Sequence, residues 1–261
     1  MTDDARTTRL LEGKVVLIVG ASAGIGADSA RVLARHGARL MLAARTREPL
    51  EKIADEVAEI GTGVGTEVEV VTGDIAVAAD VARLVDATVA RFGRLDGAFN
   101  NAAMTQSGRL DEVSEDDFDR IMAVNVKGTW LCLREELRVM RAAGTGSIVN
   151  VSSIGGLRGS SGMGAYQATK HAVIGLTRTA AHDNGPAGVR VNVLAPGPTE
   201  TPMLQQTREA IPGGVEARIA ATPLRKAGTG SEVGEAAAWL LSDLASHISG
   251  VVLPVDGGFS A

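Results

Sequence analysis

Short apolar runs of strand length alternate with longer stretches of helical periodicity along the whole chain of 261 residues. Continuous apolar runs of this length are typical of strands that are buried on both faces. Such alternation predicts one parallel sheet with helices on both faces and a ligand site at the carboxyl ends of the strands. The predicted strands are 14–19, 39–43, 67–72, 95–100, 147–151, 189–194 and 250–255. The predicted helices are 24–36, 46–59, 77–92, a long helical region at 115–143, 164–183 and 232–243.

The composition excludes several classes of partner. The net charge of −5 and the lack of a basic run argue against binding to nucleic acid or to anionic membranes. No apolar run approaches the roughly 18 residues that cross a bilayer, and we expect no metal site. The one cysteine, Cys132, cannot form an internal disulfide, which favours a reducing, cytoplasmic location. Its apolar neighbours predict a small buried core residue.

No linker, repeat or low-complexity tract divides the chain, so we expect a single domain over 1–261. The polar stretch 1–10 predicts a flexible N-terminus, and 61–65 predicts a turn. The alternation breaks once, at 198–230, which is rich in proline and glycine. Because long irregular insertions in compact domains are usually functional, we predict an irregular lid over the substrate there.

A glycine-rich loop directly follows the first predicted strand. Gly20, Gly24 and Gly26 have the spacing G-x-x-x-G-x-G and lie between that strand and the first helix. Glycines let the backbone turn sharply and approach a pyrophosphate, which then binds the free N–H groups of the helix N-terminus. The alternative is a plain tight turn, but the strand–helix context favours a dinucleotide site. The expected cofactor contacts are Gly20, Ser22, Ala23, Gly24, Ile25 and Gly26.

The second predicted strand ends in Ala43-Ala44-Arg45, where no carboxylate is present. An NAD site usually carries Asp or Glu at this point to accept a hydrogen bond from the ribose 2′-hydroxyl. Arg45 can instead contact the 2′-phosphate of NADP, with Arg47 as a second candidate. The sequence therefore favours NADP(H) as the cofactor and leaves NAD(H) as the alternative, in which Arg45 is a solvated surface charge.

Tyr166 is the only tyrosine, and Lys170 follows it by four residues on a predicted helix, so both side chains lie on one face. A free phenol has a pKa of about 10 and must become about 4 kcal/mol easier to ionise to exchange protons near neutral pH. A lysine ammonium about 4 Å away supplies about that much at an effective dielectric constant of about 20. We therefore predict that Lys170 lowers the pKa of Tyr166 and that Tyr166 is the acid/base. The alternative is a solvated helix face.

Two further polar residues accompany this pair. Ser153 follows the fifth predicted strand, where ligands bind in such sheets, and can donate a hydrogen bond to a substrate oxygen. Asn125 lies in an apolar helical setting, where its amide must find a partner such as a water or a backbone group. A purely structural hydrogen bond is the alternative for Asn125.

Together these residues resemble the short-chain dehydrogenase/reductase family in its single-domain form, from about residue 11 to residue 259. Two positions depart from the family pattern: Val19 replaces a threonine before the glycine loop, and Ala103 replaces a glycine. The matching elements are the loop 19–26, Asp74-Ile75, Asn100-Asn101-Ala102-Ala103, Asn125 in 125–128, Ser153, Tyr166 with Lys170, Pro196-Gly197 and the closing segment 253–258.

The resemblance implies a doubly wound Rossmann fold, an α/β fold with seven parallel strands in the order 3-2-1-4-5-6-7. It implies an enzyme with Asn125, Ser153, Tyr166 and Lys170 as catalytic residues, and the family's spacing selects Ser153 over Ser152. The further cofactor contacts that it implies are Asp74, Ile75, Asn101, Ala102, Ala103, Tyr166, Lys170, Pro196, Gly197, Thr199 and Thr201.

The resemblance also implies a mechanism, in which a hydride passes between C4 of NADPH and a carbonyl carbon. Ser153 would hold the carbonyl oxygen, Tyr166 would protonate it, and Lys170 would contact the nicotinamide ribose. Asn125 would position a water that links Lys170 to solvent. The expected assembly is a homotetramer, or a homodimer, formed through the helices of Asn125 and Tyr166 and through the C-terminal helix and strand.

Three functions compete. The first is an NADPH-dependent carbonyl reductase, such as one acting on 3-oxoacyl groups of acyl carrier protein. The second is an NAD-linked alcohol or sugar dehydrogenase, and the third is a non-catalytic nucleotide-sensing protein, which the intact catalytic residues disfavour. The expected substrate is a small carbonyl or alcohol compound. An apolar lining, apart from Arg158, favours an apolar or mid-sized ketone. The expected lining is 154–163, Met104, Gln106, Met203, Leu204, Ile211 and the rest of 198–230.

Overall fold

The computed structural model describes residues 9–61 and 66–261. The predicted flexible N-terminus therefore lies outside the described residues up to residue 8, and the predicted turn at 61–65 lies outside them from residue 62. Within the described ranges, no helix combines the length and the apolar character needed to cross a membrane.

Seven parallel strands form one sheet within these residues, in the order β3-β2-β1-β4-β5-β6-β7, and this confirms the predicted topology. The strands are β1 Val15–Val19, β2 Arg39–Ala44, β3 Val68–Thr72, β4 Gly97–Asn100, β5 Gly146–Val151, β6 Val189–Pro196 and β7 Val252–Val255. The helices are α1 Gly24–Arg35, α2 Arg47–Gly61, α3 Ala78–Phe92, α4 Glu115–Met122, α5 Thr129–Ala143, α6 Gly164–Asn184, α7 Pro202–Ala210, α8 Gly214–Ala221 and α9 Gly230–Leu241.

The strand register brings the carboxyl ends of the central strands to one edge of the sheet. Val19, the last residue of β1, pairs with Ala43 on one side and with Asn100 on the other. Asn100 in turn pairs with Asn150 near the end of β5. The loops that follow these strands therefore meet at this edge, which is where a doubly wound sheet binds its ligands.

Alternate residues of β1 enter two separate cores, one on each face of the sheet. Val16 and Ile18 pack with α1, α2 and α9, whereas Val15 and Leu17 pack with α3, α5 and α6. Burial of each such side chain contributes about 1.5–3 kcal/mol. Cys132 is a free, buried thiol in the second core, as predicted. Both faces of the sheet are thus covered, and its carboxyl edge is left for a ligand.

The predicted helical region 115–143 is interrupted by a π-helical turn, Ala123–Gly128, between α4 and α5. The turn packs against the loop after β3, because a Cβ on Gly128 would lie 2.7 Å from Cδ1 of Ile75. Single π-helical turns of this kind occur mostly at functional sites.

The prediction of an irregular segment at 198–230 is wrong, since α7 and α8 lie within it. Thr201 caps α7 by accepting a hydrogen bond from the N–H of Leu204 at 3.1 Å, and Pro202 occupies the first turn. Proline disfavours a helix interior but suits the first turn, where no intrahelical N–H bond is lost. The prolines of this segment therefore mark helix boundaries.

Candidate active site

A cleft of about 1000 Å³ opens at the carboxyl edge of the sheet. Two of the predicted site residues, Gly26 and Asn125, are not on its wall. The predicted residues that line it are Gly20, Ser22, Ala23, Gly24, Ile25, Arg45, Asp74, Ile75, Asn101, Ala102, Ala103, Ser153, Tyr166, Lys170, Pro196, Gly197, Thr199 and Thr201.

The glycine loop approaches its neighbours so closely that side chains would not fit. Gly20 has a φ of +87°, and a Cβ there would lie 2.6 Å from the backbone N of Ala102. A Cβ on Gly26 would lie 2.0 Å from the carbonyl oxygen of Gly20, which also accepts a hydrogen bond from Asn101 Nδ2 at 3.0 Å. Gly26 therefore shapes the loop from behind, and Asn101 holds the loop to the end of β4.

Helix α1 begins in this loop without a side-chain cap, because its N-cap residue is Ala23. The first N–H groups of an α-helix have no intrahelical partner, and the helix dipole is positive at that end. These groups lie at the cleft, where Ser22 to Ile25 line the wall. The arrangement fits a bound pyrophosphate.

Arg45 is an exposed residue on the cleft wall, and no hydrogen bond or ion pair joins it to another described residue. The second candidate, Arg47, forms an ion pair with Glu51 at 3.3 Å and is not on the wall. Asp74, which also lines the cleft, accepts a hydrogen bond from the N–H of Ala76 at 2.9 Å. Arg45 is therefore the cation that is available to a phosphate on this side.

Thr199 and Thr201 lie on the wall after β6. The hydroxyl of Thr199 donates to the carbonyl of Gly197 at 3.0 Å, and that of Thr201 donates to the carbonyl of Thr199 at 3.1 Å. A Cβ on Gly24 would lie 3.1 Å from the methyl group of Thr201, so this loop also contacts the glycine loop. Gly197 itself has no room for a side chain, since a Cβ would lie 2.9 Å from Asp256.

Tyr166, Ser153 and Lys170 converge in the middle of the cleft. Tyr166 is 9 % exposed and Lys170 is 3 % exposed. The ammonium of Lys170 lies 5.6 Å from the centre of the Tyr166 ring and donates to the carbonyl of Val151, the last residue of β5, at 3.0 Å. Ser153 Oγ accepts a hydrogen bond from the N–H of Gly155 at 3.0 Å, so its hydroxyl can still act as a donor.

Burial controls the ionisation of this group. It raises the pKa of Tyr166, and a hydrogen bond with Ser153 acts in the opposite direction. Burial also lowers the pKa of Lys170 from 10.5 to about 8. The predicted lowering of the Tyr166 pKa is therefore wrong for the protein alone, because burial disfavours the charged phenolate and raises this pKa.

The side chain of Asn125 joins three parts of the site from behind. Its Oδ1 accepts from the N–H of Met104, and its Nδ2 donates to the carbonyl of Met104, both at 2.9 Å. Nδ2 also donates to Thr169 Oγ1 at 3.0 Å. Both amide hydrogens are thus used by protein groups, so the side chain clamps the loop after β4 to α6. These contacts agree with the alternative in which the side chain of Asn125 makes structural hydrogen bonds.

The two adjacent serines have different surroundings. Ser152 is buried, and its hydroxyl donates to the carbonyl of Lys170 at 2.8 Å. Ser153 is less buried and is hydrogen-bonded to Tyr166. Ser153 therefore lies beside Tyr166 in the cleft, whereas the hydroxyl of Ser152 supports α6.

The substrate end of the cleft differs in part from the expected lining. Gln106 is not on the wall of the cleft, and its amide donates to the carbonyl of Ser107. Ile211 is also absent from the wall, because it packs with Met163 and Tyr166 beside a second, smaller pocket. Sequence reasoning missed residues that no local motif marks. The expected residues on the wall include Met104, Ile154, Arg158, Met163, Met203, Leu204, Val215 and Arg218, the last two as members of 198–230, and the missed ones include Arg120 and Phe259.

Residues 20–260 match a family model described as enoyl-(acyl carrier protein) reductase. The chain is 37% identical over 267 residues to levodione reductase of Leifsonia aquatica, which covers 100% of this chain and 99% of that protein. It is 42% identical over 254 residues to 2,5-dichloro-2,5-cyclohexadiene-1,4-diol dehydrogenase of Sphingobium indicum, covering 96% of this chain and 98% of the relative.

Solved structures show the same architecture. The crystal structure of levodione reductase superposes with a TM-score of 0.91 at 36% identity and covers 95% of this chain and 98% of the other. A 3-ketoacyl-(acyl-carrier-protein) reductase from Brucella melitensis complexed with NADH gives a TM-score of 0.87 at 33% identity, over 96% and 99% of the two chains. NAD+-bound xylitol dehydrogenase gives 0.90 at 34% identity, over 95% and 99%.

Proposed function

The chain belongs to the short-chain dehydrogenase/reductase family and is an oxidoreductase of ketone and alcohol groups, and on that premise we propose that it is an NADP(H)-dependent ketone reductase with Tyr166 as its proton donor. The observation that carries the proposal is the convergence of Tyr166, Ser153 and Lys170 in a cleft whose other end presents the free cation Arg45.

The cofactor end of the cleft fits a dinucleotide phosphate. Gly20 and Gly26 leave no room for a Cβ, the N-terminus of α1 is uncapped, and Arg45 has no partner among the described residues. The pyrophosphate would bind the N–H groups of the loop, and the 2′-phosphate would bind Arg45. When it is bound, the nicotinamide supplies or accepts the hydride.

The protein's own residues then handle the proton. Ser153 lies beside Tyr166 and would donate a hydrogen bond to the substrate oxygen, which holds that oxygen next to the phenol. Tyr166 transfers its phenolic proton to the same oxygen as the carbonyl becomes an alcohol. Lys170 is held against Val151 and faces the ring, so its positive charge stabilises the phenolate that is left. Because burial raises the pKa of Tyr166, the phenol keeps its proton near neutral pH and is available as the proton donor for reduction.

The test is an assay of cofactor oxidation across a panel of ketones, with Tyr166→Phe as the blank. We expect turnover by the wild type and a loss of about a thousandfold or more in the variant, whereas both proteins should bind NADP+ equally. No turnover of any ketone or alcohol would favour the non-catalytic nucleotide-sensing protein and refute the proposal.

The NADP preference has its own test, because two structural relatives carry NADH or NAD+. Arg45→Gln should lower kcat/KM for NADPH about tenfold or more while leaving NADH nearly unchanged, and Arg45→Asp should favour NADH. Arg47→Gln is the matched control, since Arg47 is paired with Glu51. Equal ratios of the two cofactors in wild type and Arg45→Gln would support an NAD-linked dehydrogenase.

We further propose that 198–230 acts as a lid within a single domain over 1–261. The ends of the segment are hydrogen-bonded to each other, because Gly228 N–H donates to Pro198 at 2.8 Å and Glu200 N–H donates to Gly228 at 2.9 Å. The two helices between these ends include cleft-lining residues such as Met203 and Arg218. Because its two ends are hydrogen-bonded to each other, the segment can move as one unit and carry its cleft-lining residues with it.

The predicted cytoplasmic homotetramer, with a homodimer as the smaller alternative, is also part of the proposal. Trp130 on α5 is 44 % exposed, and Phe118 on α4 is likewise exposed, so both helices present an apolar side chain to the surface. Analytical ultracentrifugation of wild type and Trp130→Glu tests it: we expect a tetramer that the variant dissociates. A monomeric wild type would refute the assembly.

A further inference from the structure

We propose that the ketone carries a carboxylate group that Arg218 and Arg158 bind at the substrate end of the cleft. The inference rests on the proposed function, and it narrows the expectation of an apolar or mid-sized ketone. It starts from the charged residues that line the cleft: Asp74 and Arg45 at the cofactor end, Lys170 at the centre, and Arg120, Arg158 and Arg218 at the substrate end.

These three arginines differ in their partners. Arg120 forms an ion pair with Asp117, so its charge is compensated. Arg218, a half-buried residue of α8, has as its side-chain partner the thioether of Met163, at 3.5 Å. Arg158 stacks on the ring of Phe259, with 4.0 Å between the guanidinium carbon and the ring centre. No carboxylate of the described residues pairs with Arg218 or Arg158.

No described acidic residue of the neighbouring helices neutralises the charges of Arg218 and Arg158. Arg208, on the neighbouring helix α7, binds both Glu200 and Glu216 at 2.8–3.0 Å, so acidic residues are available in the lid but do not face the cleft. Arg218 is half-buried beside the thioether of Met163, whereas Arg158 is exposed and stacked on Phe259. A guanidinium without a carboxylate partner favours an anionic ligand, and the attraction is stronger at the half-buried Arg218 than in water. The substrate end therefore attracts an anion.

Both arginines belong to one connected unit. The hydroxyl of Thr222 donates to the carbonyl of Arg218 at 3.1 Å, and a Cβ on Gly257 would lie 2.7 Å from the methyl group of Thr222. Gly257 starts the C-terminal turn that places Phe259 under Arg158. The Asp256 carboxylate orders this turn by accepting hydrogen bonds from the N–H groups of Gly258 and Ser260, at 3.0 and 2.9 Å, and from the Ser260 hydroxyl at 2.6 Å.

The position relative to the catalytic phenol sets the kind of substrate. Met163, which Arg218 contacts, lies one helical turn before Tyr166 and packs in the same apolar cluster. Val215 and Phe259 add apolar surface nearby. An oxo acid, with its ketone at Tyr166, a short hydrocarbon linker and a carboxylate on the two guanidinium groups, satisfies all of these surroundings.

The test compares levulinate and the next two longer oxo acids with their methyl esters, using NADPH. For at least one chain length, we expect wild-type kcat/KM to be about tenfold or more higher for the acid than for its ester. Arg218→Gln and Arg158→Gln should each reduce that ratio severalfold, and the double variant should abolish it, because kcat/KM falls far more for the acid than for the ester. Arg120→Gln is the matched control and should keep the ratio. Equal use of acids and esters by the wild type, ratios unchanged in the double variant, or a preference for dihydroxyacetone phosphate over every acid would overturn the inference.

A binding measurement separates this inference from the proposed function. Hexanoate, which has a carboxylate but no ketone, is titrated calorimetrically into wild type and the double variant in the presence of NADP+. Binding by the wild type that the double variant loses supports the carboxylate site even if every ketone proves inactive, which would refute the proposed function alone. No binding by the wild type, or equal binding by both proteins, overturns the site even where ketones are reduced.

Discussion

Asn100 Nδ2 donates to Glu136 Oε2 at 2.9 Å, while Asn100 Oδ1 and Glu136 Oε1 are buried without a hydrogen-bond partner. A carboxyl proton on Glu136 Oε1, shared with Asn100 Oδ1, would satisfy both atoms at once. Burial raises the pKa of Glu136 to about 7, in agreement with a protonated carboxyl. This acid–amide pair joins α5 to the end of β4, and Asn100 also donates to Asn150 of β5 at 3.0 Å.

Glu136→Gln should remove a pH-dependent destabilisation. Because the pKa of Glu136 is higher in the folded chain, folding takes up a proton, and the stability of the wild type falls as pH rises from 4.5 to about 7. The increase in the Glu136 pKa corresponds to a loss of about 3 kcal/mol in the free energy of unfolding at pH values above about 7. The variant should match the wild type at about pH 4.5 and exceed it by up to about 3 kcal/mol at about pH 8.

Urea unfolding of both proteins across this range measures the effect. Glu135→Gln is the matched control, because Glu135 is an ion-paired neighbour with Arg134 and Arg138 as partners. A stability difference between wild type and Glu136→Gln that is independent of pH would rule out the protonated pair.

Ketone reduction should slow as Lys170 loses its proton. The pKa of Lys170 is lowered to about 8, so its ammonium is present below that pH and lost above it. We expect kcat/KM for reduction to be flat near neutral pH and to fall as pH rises above about 8, since the phenolate of Tyr166 then loses its neighbouring cation. Lys170→Arg should be slower but keep its charge, so its profile should stay flat to higher pH. The same limb near pH 8 in that variant would argue against the assignment.

Gly26→Ala should disrupt the cofactor loop. The new Cβ would meet the carbonyl of Gly20 at 2.0 Å, so the backbone must move, and we expect a loss of stability of about 1–3 kcal/mol and weaker NADP+ binding. Gly175→Ala in α6 is the matched control, because nothing lies within 4 Å of its added Cβ. It should stabilise the protein by about 0.5–1 kcal/mol. Thermal unfolding and cofactor fluorescence titration measure both effects, and equal behaviour of the two variants would contradict the packing argument.

Asn125→Ala should release the loop after β4. It removes hydrogen bonds to both backbone groups of Met104 and to Thr169, for an expected loss of about 2–4 kcal/mol. Since Met104 lines the cleft, KM for the ketone should rise as well. Asn184→Ala loses one hydrogen bond, to Ala180, and should cost about 1 kcal/mol without a change in KM. Unfolding and steady-state kinetics decide, and an unaltered KM in Asn125→Ala would show that the clamp does not shape the cleft.

Features set by short-range spacing were predictable from the sequence. The four-residue spacing of Tyr166 and Lys170 places them on one face of any helix, and the alternating apolar runs predict the strands of a parallel sheet, whereas the strand order came from the family resemblance. The glycine loop is likewise local, because the clashes that require Gly20 and Gly26 arise within one strand–loop–helix unit and its neighbouring strand.

Features set by distant contacts were not. The pKa of Tyr166 moves upward because of burial, which no four-residue spacing reveals. Glu136 follows the charged residue Glu135, and nothing in the local sequence indicates that it is buried. Its burial results from the packing of α5 against β4. Arg158 was expected in the lining as its charged exception, but its contact with Phe259 depends on the C-terminal turn, which no local spacing predicts.

The solitary tyrosine gives the molecule a built-in optical probe. Since Tyr166 is the only phenol in the chain, ultraviolet difference absorbance during a pH titration reports the ionisation of the catalytic group alone. No isotope labelling or spectral assignment is required. Repeating the titration with NADP+ bound shows directly how far the cofactor's positive ring acidifies the proton donor, a quantity that proteins with many tyrosines conceal.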